Sequence, residues 1–216
     1  NSQRLFSQLA GLFGTALSAN SLDKAVAATS GQAEANFLTA ANVAEARAAL
    51  GERGDELDTL IVHPSVGFYL YQVGLLTFST SALAASGEVT WGGGGVGVGA
   101  RSIGEFAGCN VIMDPQVNTV IPGTSTHVKE FRCFLMKGGS VLEGIQQDLR
   151  IEADRNVLSK QDVLSVDYHT AYHVMGTKWT SAGDNPTNGT LATAGNWSAT
   201  HDTDLLPMVE LIVNSP

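Results

Sequence analysis

Cysteine is nearly absent from this 216-residue chain, which contains only Cys109 and Cys133. The two residues lie far apart, in no CxxC pair and in no cluster with histidine. A disulfide scaffold needs several paired cysteines, and a structural zinc site needs closely spaced Cys and His ligands. The sequence therefore predicts neither, and an intracellular folding compartment is the default expectation.

Positive charge and long apolar runs are also scarce. The 12 basic residues against 21 acidic ones give a net charge of −9, which argues against a surface built to grip phosphate backbones. The most apolar window, residues 57–76, is broken by Asp58, His63, Pro64 and Gln72. A membrane-spanning helix would not tolerate these breaks, so no transmembrane or signal segment is predicted.

An amphipathic helix is predicted over residues 3–17, because Leu5, Leu9 and Leu12 fall on one stripe. Gly11 and Gly14 each cost this helix about 1 kcal/mol relative to alanine, so we expect that a neighbour approaches closely there. The helical pattern starts almost at the first residue, with no loop before it. We therefore expect a processed or trimmed chain, with part of this helix upstream.

Capping and breaking residues predict the elements that follow. In chain order they are a weak helix or loop over 19–32, a helix capped by Thr39 or Asn42 and ended by Gly51, a strand over 57–62, and a helix from His63-Pro64-Ser65. After them come a mobile loop over 77–108, a strand over 109–115, an irregular segment over 116–127, a short element over 191–197 and a strand over 208–213. The strand followed closely by a helix indicates an α/β layer.

Residues 131–179 hold the densest alternation of apolar and polar side chains. Residues 131–145 predict a β-hairpin around the Gly138-Gly139 turn, and residues 163–175 predict a long strand. Five charged residues lie between them and become candidate subunit contacts: Asp148, Arg150, Glu152, Asp154 and Arg155. The first four would share one face of a strand. Both a solvated face and a set of intersubunit salt bridges remain open.

Two other patterns resemble known sites, one for binding a dinucleotide and one for binding a metal ion. A glycine run, formed by Gly92, Gly93, Gly94, Gly95, Gly97 and Gly99, has the spacing of a dinucleotide fingerprint. It follows no strand and opens no helix, so we predict a flexible loop rather than a phosphate site. His169 and His173 would share a strand face, with Asp167 beside them, but a third ligand is missing. We expect packed or hydrogen-bonded histidines and assign no catalytic, cofactor or metal residue.

Five motifs in one order carry a family resemblance. They are QRLFSQLAGLFGTAL at 3–17, ALGERGDELDTLIVHPSVGFYL at 49–70, AGCNVIMDP at 107–115, FRCFLMKGGSVLEG at 131–144 and IEADRNVLSKQDVLSVDYHTAYHVMGTKW at 151–179. In this order the chain resembles the C-terminal two-thirds of a tailed-bacteriophage major capsid protein of the Hong Kong ninety-seven type. The family's N-terminal arm and extended loop have no counterpart in the sequence.

The resemblance implies an α+β fold, the phage major capsid fold, with a peripheral domain and an axial domain. Residues 1–50 would hold the remainder of the spine helix and the following helix, as peripheral domain and crossing. Residues 51–125 would be mostly axial domain, with the Gly92–Gly99 run as a flexible axial loop. Residues 126–216 would add the hairpin and long strands of the peripheral domain, with crossings to the axial domain.

The function implied by the resemblance is structural: an icosahedral shell subunit that self-assembles into pentamers and hexamers. Its partners would be other copies of itself, with scaffolding, portal and decoration proteins as further candidates. It would enclose DNA without binding it specifically, use no cofactor, catalyse no reaction and contact no membrane. It would be made in the host cytoplasm and end in the virion. The alternatives are an encapsulin-like nanocompartment shell and, from another class, a metal hydrolase using His169 and His173.

Overall fold

A computed structural model describes residues 2–25, 34–78, 101–117, 119–120, 129–156, 161–183 and 185–214. The fold is α+β, with much strand and few helices. It divides into two compact units. The main unit comprises Asn1–Gly138 and Gly176–Pro216, and the second unit, which we call the ribbon, comprises Gly139–Met175. The assignment of residues 1–50, 51–125 and 126–216 to peripheral and axial domains stays a prediction.

The described part of the chain contains four α-helices and twelve strands. The helices are α1 (Ser2–Gly14), α2 (Ala40–Ala49), α3 (Pro64–Gln72) and α4 (Asn188–Leu191). The strands are β1 (Ser21–Asp23), β2 (Thr59–Val62), β3 (Thr77–Phe78), β4 (Arg101–Phe106), β5 (Cys109–Met113), β6 (Thr119–Val120), β7 (Glu130–Met136), β8 (Val141–Asn156), β9 (Gln161–Val174), β10 (Thr177–Trp179), β11 (Trp197–Ala199) and β12 (Met208–Asn214).

One large sheet organises the main unit. Its strand order is β1-β12-β7-β2-β5-β4-β3, with β6 paired to β7 beside this path. The pairs β1–β12 and β2–β5 are parallel, and the other pairs in the sheet are antiparallel. Strand β7 lies inside the sheet, bonded to β12 along one edge and to β2 and β6 along the other.

Both faces of this sheet are covered by helices. On one face, Cys133 and Leu135 of β7 join a buried core with side chains of α2 and α3, including Val43 and Leu70. Successive side chains of a strand point to opposite faces, so Phe134 lies on the other face. There it meets two rings of α1, Phe6 at 6.0 Å and Phe13 at 5.8 Å between centroids.

The predicted helix caps are confirmed. The Thr39 hydroxyl accepts a hydrogen bond from the Asn42 amide at 3.2 Å, and α2 ends before Gly51, whose φ is +56°. His63 caps α3, and Pro64 is its first residue, where a missing N–H costs the helix nothing. Local chemistry therefore fixes the ends of both helices.

The hairpin predicted over residues 131–145 is wrong. Strand β7 pairs with strands of the main sheet, whereas β8 pairs with β9. The turn between β7 and β8 is held by other elements, since the Lys137 amide donates to the Pro207 carbonyl at 3.1 Å and the Gly138 amide to the Asp58 carboxylate at 2.9 Å. The alternation of β7 indicated a strand but could not name its partner.

Four strands lie where loops were expected, and one of them is β3, at the start of the predicted mobile loop. Strand β1 falls in the segment predicted as weak helix or loop, and β6 falls in the irregular segment. Strand β4 occupies part of the predicted mobile loop and joins β5 through Ala107 and Gly108. Both turn residues have positive φ, +50° and +75°, as a two-residue hairpin turn requires. Residues 79–100, which include the Gly92–Gly99 run, lie outside the described residues.

The close approach expected at the glycines of α1 is confirmed. A Cβ on Gly11 would lie 2.3 Å from the Leu191 carbonyl oxygen and 2.9 Å from Trp197 Nε1. Those two atoms already share a hydrogen bond of 2.8 Å. A Cβ on Gly14 would lie 2.8 Å from Cβ of Ala194. Helix α1 therefore touches the segment around α4 directly through its backbone.

We predict that Gly11→Ala lowers the free energy of unfolding in urea. Overpacking costs about 1–3 kcal/mol, which outweighs the gain of about 1 kcal/mol in helix propensity. Gly195→Ala is the matched control, because nothing lies within 4 Å of a Cβ built there. An increase in stability for Gly11→Ala would contradict this packing.

Candidate functional site

The ribbon is a long antiparallel pair of strands. Strands β8 and β9 contain 16 and 14 residues, so at about 3.3 Å per residue the ribbon is roughly 45 Å long. Its base is closed by the Met175 amide, which donates to the Ser140 carbonyl at 2.9 Å. The register is regular except around Gln147, where β8 has extra residues relative to β9. Bulges of this kind bend a strand without ending the ladder.

One face of the ribbon is mostly apolar. Residues paired across an antiparallel ladder share a face, and Ile145↔Thr170, Ile151↔Val166 and Ala153↔Leu164 are such pairs. The apolar face consists of Val141, Glu143, Ile145, Ile151, Ala153, Arg155, Asp162, Leu164, Val166, Tyr168, Thr170, Tyr172 and Val174. Its large side chains are exposed to solvent: Ile145 61%, Ile151 61%, Leu164 66%, Val166 55% and Tyr168 43%.

The predicted contact charges lie mainly on the opposite, polar face. Arg150, Glu152 and Asp154 share that face, as expected, and Arg150 forms an ion pair with Glu152. Asp148 lies at the irregularity, where its carboxylate accepts a hydrogen bond from the Leu149 amide at 2.8 Å. Arg155 is on the apolar face, with its Nε 3.7 Å from the Asp162 carboxylate across the ribbon. Their role as subunit contacts stays a prediction.

Among the described residues of the ribbon, no second layer packs on the apolar face. An isolated two-stranded hairpin is marginally stable in water and needs a layer packed on its apolar side. Fully burying a large apolar side chain contributes about 1.5–3 kcal/mol, so covering five half-exposed ones would contribute on the order of 5 kcal/mol. Covering this face would therefore stabilise the ribbon.

This face was missed from sequence, although its signal was present. Ile151 and Ala153 alternate with charges on β8, and Leu164, Val166 and Tyr168 alternate on β9. The charges at Arg150, Glu152 and Asp154 are the more conspicuous half of this alternation. The uncharged positions between these charges, Ile151 and Ala153, indicate the apolar face.

The ribbon contains two histidines that the sequence singled out as possible metal ligands. His169 and His173 lie with Asp167 on the polar face, as expected, but both imidazoles are exposed rather than packed. Of the two expected alternatives, packed or hydrogen-bonded histidines, the packed one is therefore wrong. Within the described ranges, no group of three or more His, Cys, Asp or Glu side chains is arranged to hold a metal ion.

A buried ion pair ties three strands of the main sheet together. The carboxylate of Glu210, on β12, lies 2.8 Å from a guanidinium nitrogen of Arg132, on β7. It also accepts a hydrogen bond of 2.8 Å from the Ser21 hydroxyl, on β1. Burial raises the pKa of Glu210, and the charge of Arg132 opposes that rise. Nearby, burial raises the pKa of the Cys133 thiol, which makes it an unreactive core residue.

His63 holds the start of α3 in a manner that depends on its charge. Its Nδ1 accepts a hydrogen bond from the Ser65 amide at 3.2 Å, and its ring packs on Phe131 at 5.0 Å between centroids. Burial lowers the pKa of His63, and the charge of Lys129 lowers it further. The imidazole is therefore neutral at pH 7, as an acceptor must be.

We predict that the stability contributed by the neutral His63 cap is lost as the pH falls below 6.5, the ordinary pKa of histidine. The unfolded state binds the proton of His63 first, so the contribution of His63 to the free energy of unfolding falls with the pH until the lower folded pKa is reached. His63→Asn keeps a good cap without titrating. Unfolding measured between pH 5 and 7 should show a shallower slope for this variant, and an unchanged slope would contradict the assignment.

Comparison with known proteins adds no relative. A scan against protein-family models finds no match to the chain, and a search of curated proteins finds no significant match either. In the part of the chain that is described, no helix has the length and apolar character needed to cross a membrane. The candidate site therefore rests on the geometry of the ribbon.

Proposed function

We propose that this chain is a structural subunit of an icosahedral bacteriophage capsid, which self-assembles into pentamers and hexamers around the genome. The five motifs that resemble tailed-phage major capsid proteins support this proposal, and the α+β architecture is compatible with it. In this assignment α1 belongs to the spine helix, and the ribbon supplies the long strands of the peripheral domain. The Gly92–Gly99 run would be the flexible axial loop.

The observation that carries the proposal is the exposed apolar face of the ribbon. Contiguous apolar surface larger than a few hundred Å² marks an interaction site on most soluble proteins. Here five large apolar side chains follow one another along one face of a ribbon roughly 45 Å long. A shell subunit is a molecule in which such a surface is covered by neighbours.

The charge of the chain agrees with this role. A net charge of −9 leaves little electrostatic attraction for the phosphates of packaged DNA. A shell whose inner surface does not bind DNA tightly lets the DNA enter and leave. The acidic balance thus suits a shell wall better than a nucleic-acid reader.

We predict that this sequence is the most abundant protein in phage particles purified from its source. Quantitative mass spectrometry of particles banded by density should recover peptides of the ribbon and of β12 at hundreds of copies per particle, together with encapsidated DNA. Electron microscopy of the same fraction should show icosahedral shells.

Two results would overturn the proposal. If peptides of this sequence occurred only in the unassembled fraction, the chain would not be a shell subunit. If peptides of this sequence occurred in shells that contain a protein cargo and no DNA, the encapsulin-like alternative would replace the capsid proposal.

A further inference from the structure

We propose that the apolar face of the ribbon packs against the same face of a second copy of this chain. This inference deepens the proposed function and rests on it, because a shell supplies many identical copies. It names the surface that mediates one of the contacts between them.

The composition of the face suits self-packing. Two sheets that pack face to face lie about 10 Å apart, with apolar side chains interdigitating between them. A two-fold axis brings the same residues together from both copies, so the face must match itself. The middle of the face, from Ile151 and Val166 to Tyr168, contains no charge. A second copy would therefore place apolar surface against apolar surface.

The charges at the two ends of the face also match in either direction of packing. Arg155 and Asp162 lie at one end, and Glu143 lies near the other, where it accepts a hydrogen bond from the Tyr172 hydroxyl at 3.2 Å. If the ribbons run the same way, Arg155 faces Asp162 of the second copy. If they run oppositely with their apolar centres aligned, Arg155 faces Glu143. Neither arrangement sets like charges against each other, which would be destabilising.

The area of the face sets the strength of the contact. A ribbon about 45 Å long and about 10 Å wide offers roughly 450 Å² in outline. A stable interface of standard size buries about 800 Å² on each partner. The face alone thus supports a weak dimer in solution, and it becomes effective as one of several contacts in a multi-copy assembly.

Two valines of β9 give a matched test. Val166 lies on the apolar face and Val163 on the polar face, and their exposed fractions are nearly equal, at 55% and 53%. The native cysteines, Cys109 and Cys133, are both buried, so each introduced cysteine is the reactive thiol of its variant among the described residues. Val166→Cys and Val163→Cys in the full chain would be treated with a short bismaleimide at equal protein concentration.

We expect Val166→Cys to give at least tenfold more cross-linked dimer than Val163→Cys, with the unsubstituted chain giving almost none. Sedimentation should agree: Val166→Asp weakens self-association at least tenfold, whereas Val163→Asp changes it less than twofold. Circular dichroism of each variant would verify that the fold is kept.

Equal cross-linking of both cysteine variants, or no dimer from Val166→Cys, would overturn the inference. If the sequence were still found in DNA-containing shells, the proposed function would stand without this contact. If a Val166-dependent dimer formed but the sequence were missing from particles, the contact would stand and the capsid proposal would fail.

Discussion

Strand β7 must be covered on both faces and paired along both edges, and the rest of the main unit follows from this requirement. Phe134 needs the aromatic rings of α1 on one side, while Cys133 and Leu135 need the core under α2 and α3 on the other. Strands β12, β2 and β6 satisfy its backbone. Because both edges of β7 are paired, the strand that follows it in sequence, β8, pairs with a different strand.

The ribbon is the consequence of that exclusion. Among the described strands, β8 pairs only with β9, and the pair leaves an apolar face that a two-stranded structure cannot cover by itself. The main unit is stabilised by layers within the chain, whereas the ribbon depends on whatever packs against it. In the proposed shell subunit, folding and assembly would use different parts of the same sequence.

Local patterns predicted the parts of the fold that local chemistry determines. The cap at Thr39, the Pro64 start of α3 and the close approach at Gly11 were readable because the causes lie within a few residues. Strand partners were not readable, since alternation identifies a face and never the neighbouring strand. Strand β1 contains only 3 residues and exists through its pairing with β12, and Glu210 finds Arg132 from 78 positions away.

Amide hydrogen exchange of the ribbon, compared with that of β7, tests the division between folding and assembly most directly. In the dilute chain, amides of β7 should exchange only through global unfolding, whereas those of residues 161–174 should exchange through local opening at much lower free energy. On assembly, exchange in residues 161–174 should slow markedly and that of β7 should not change. Ribbon amides already as protected as β7 in the dilute chain, or unchanged on assembly, would contradict the dependence of the ribbon on a second copy.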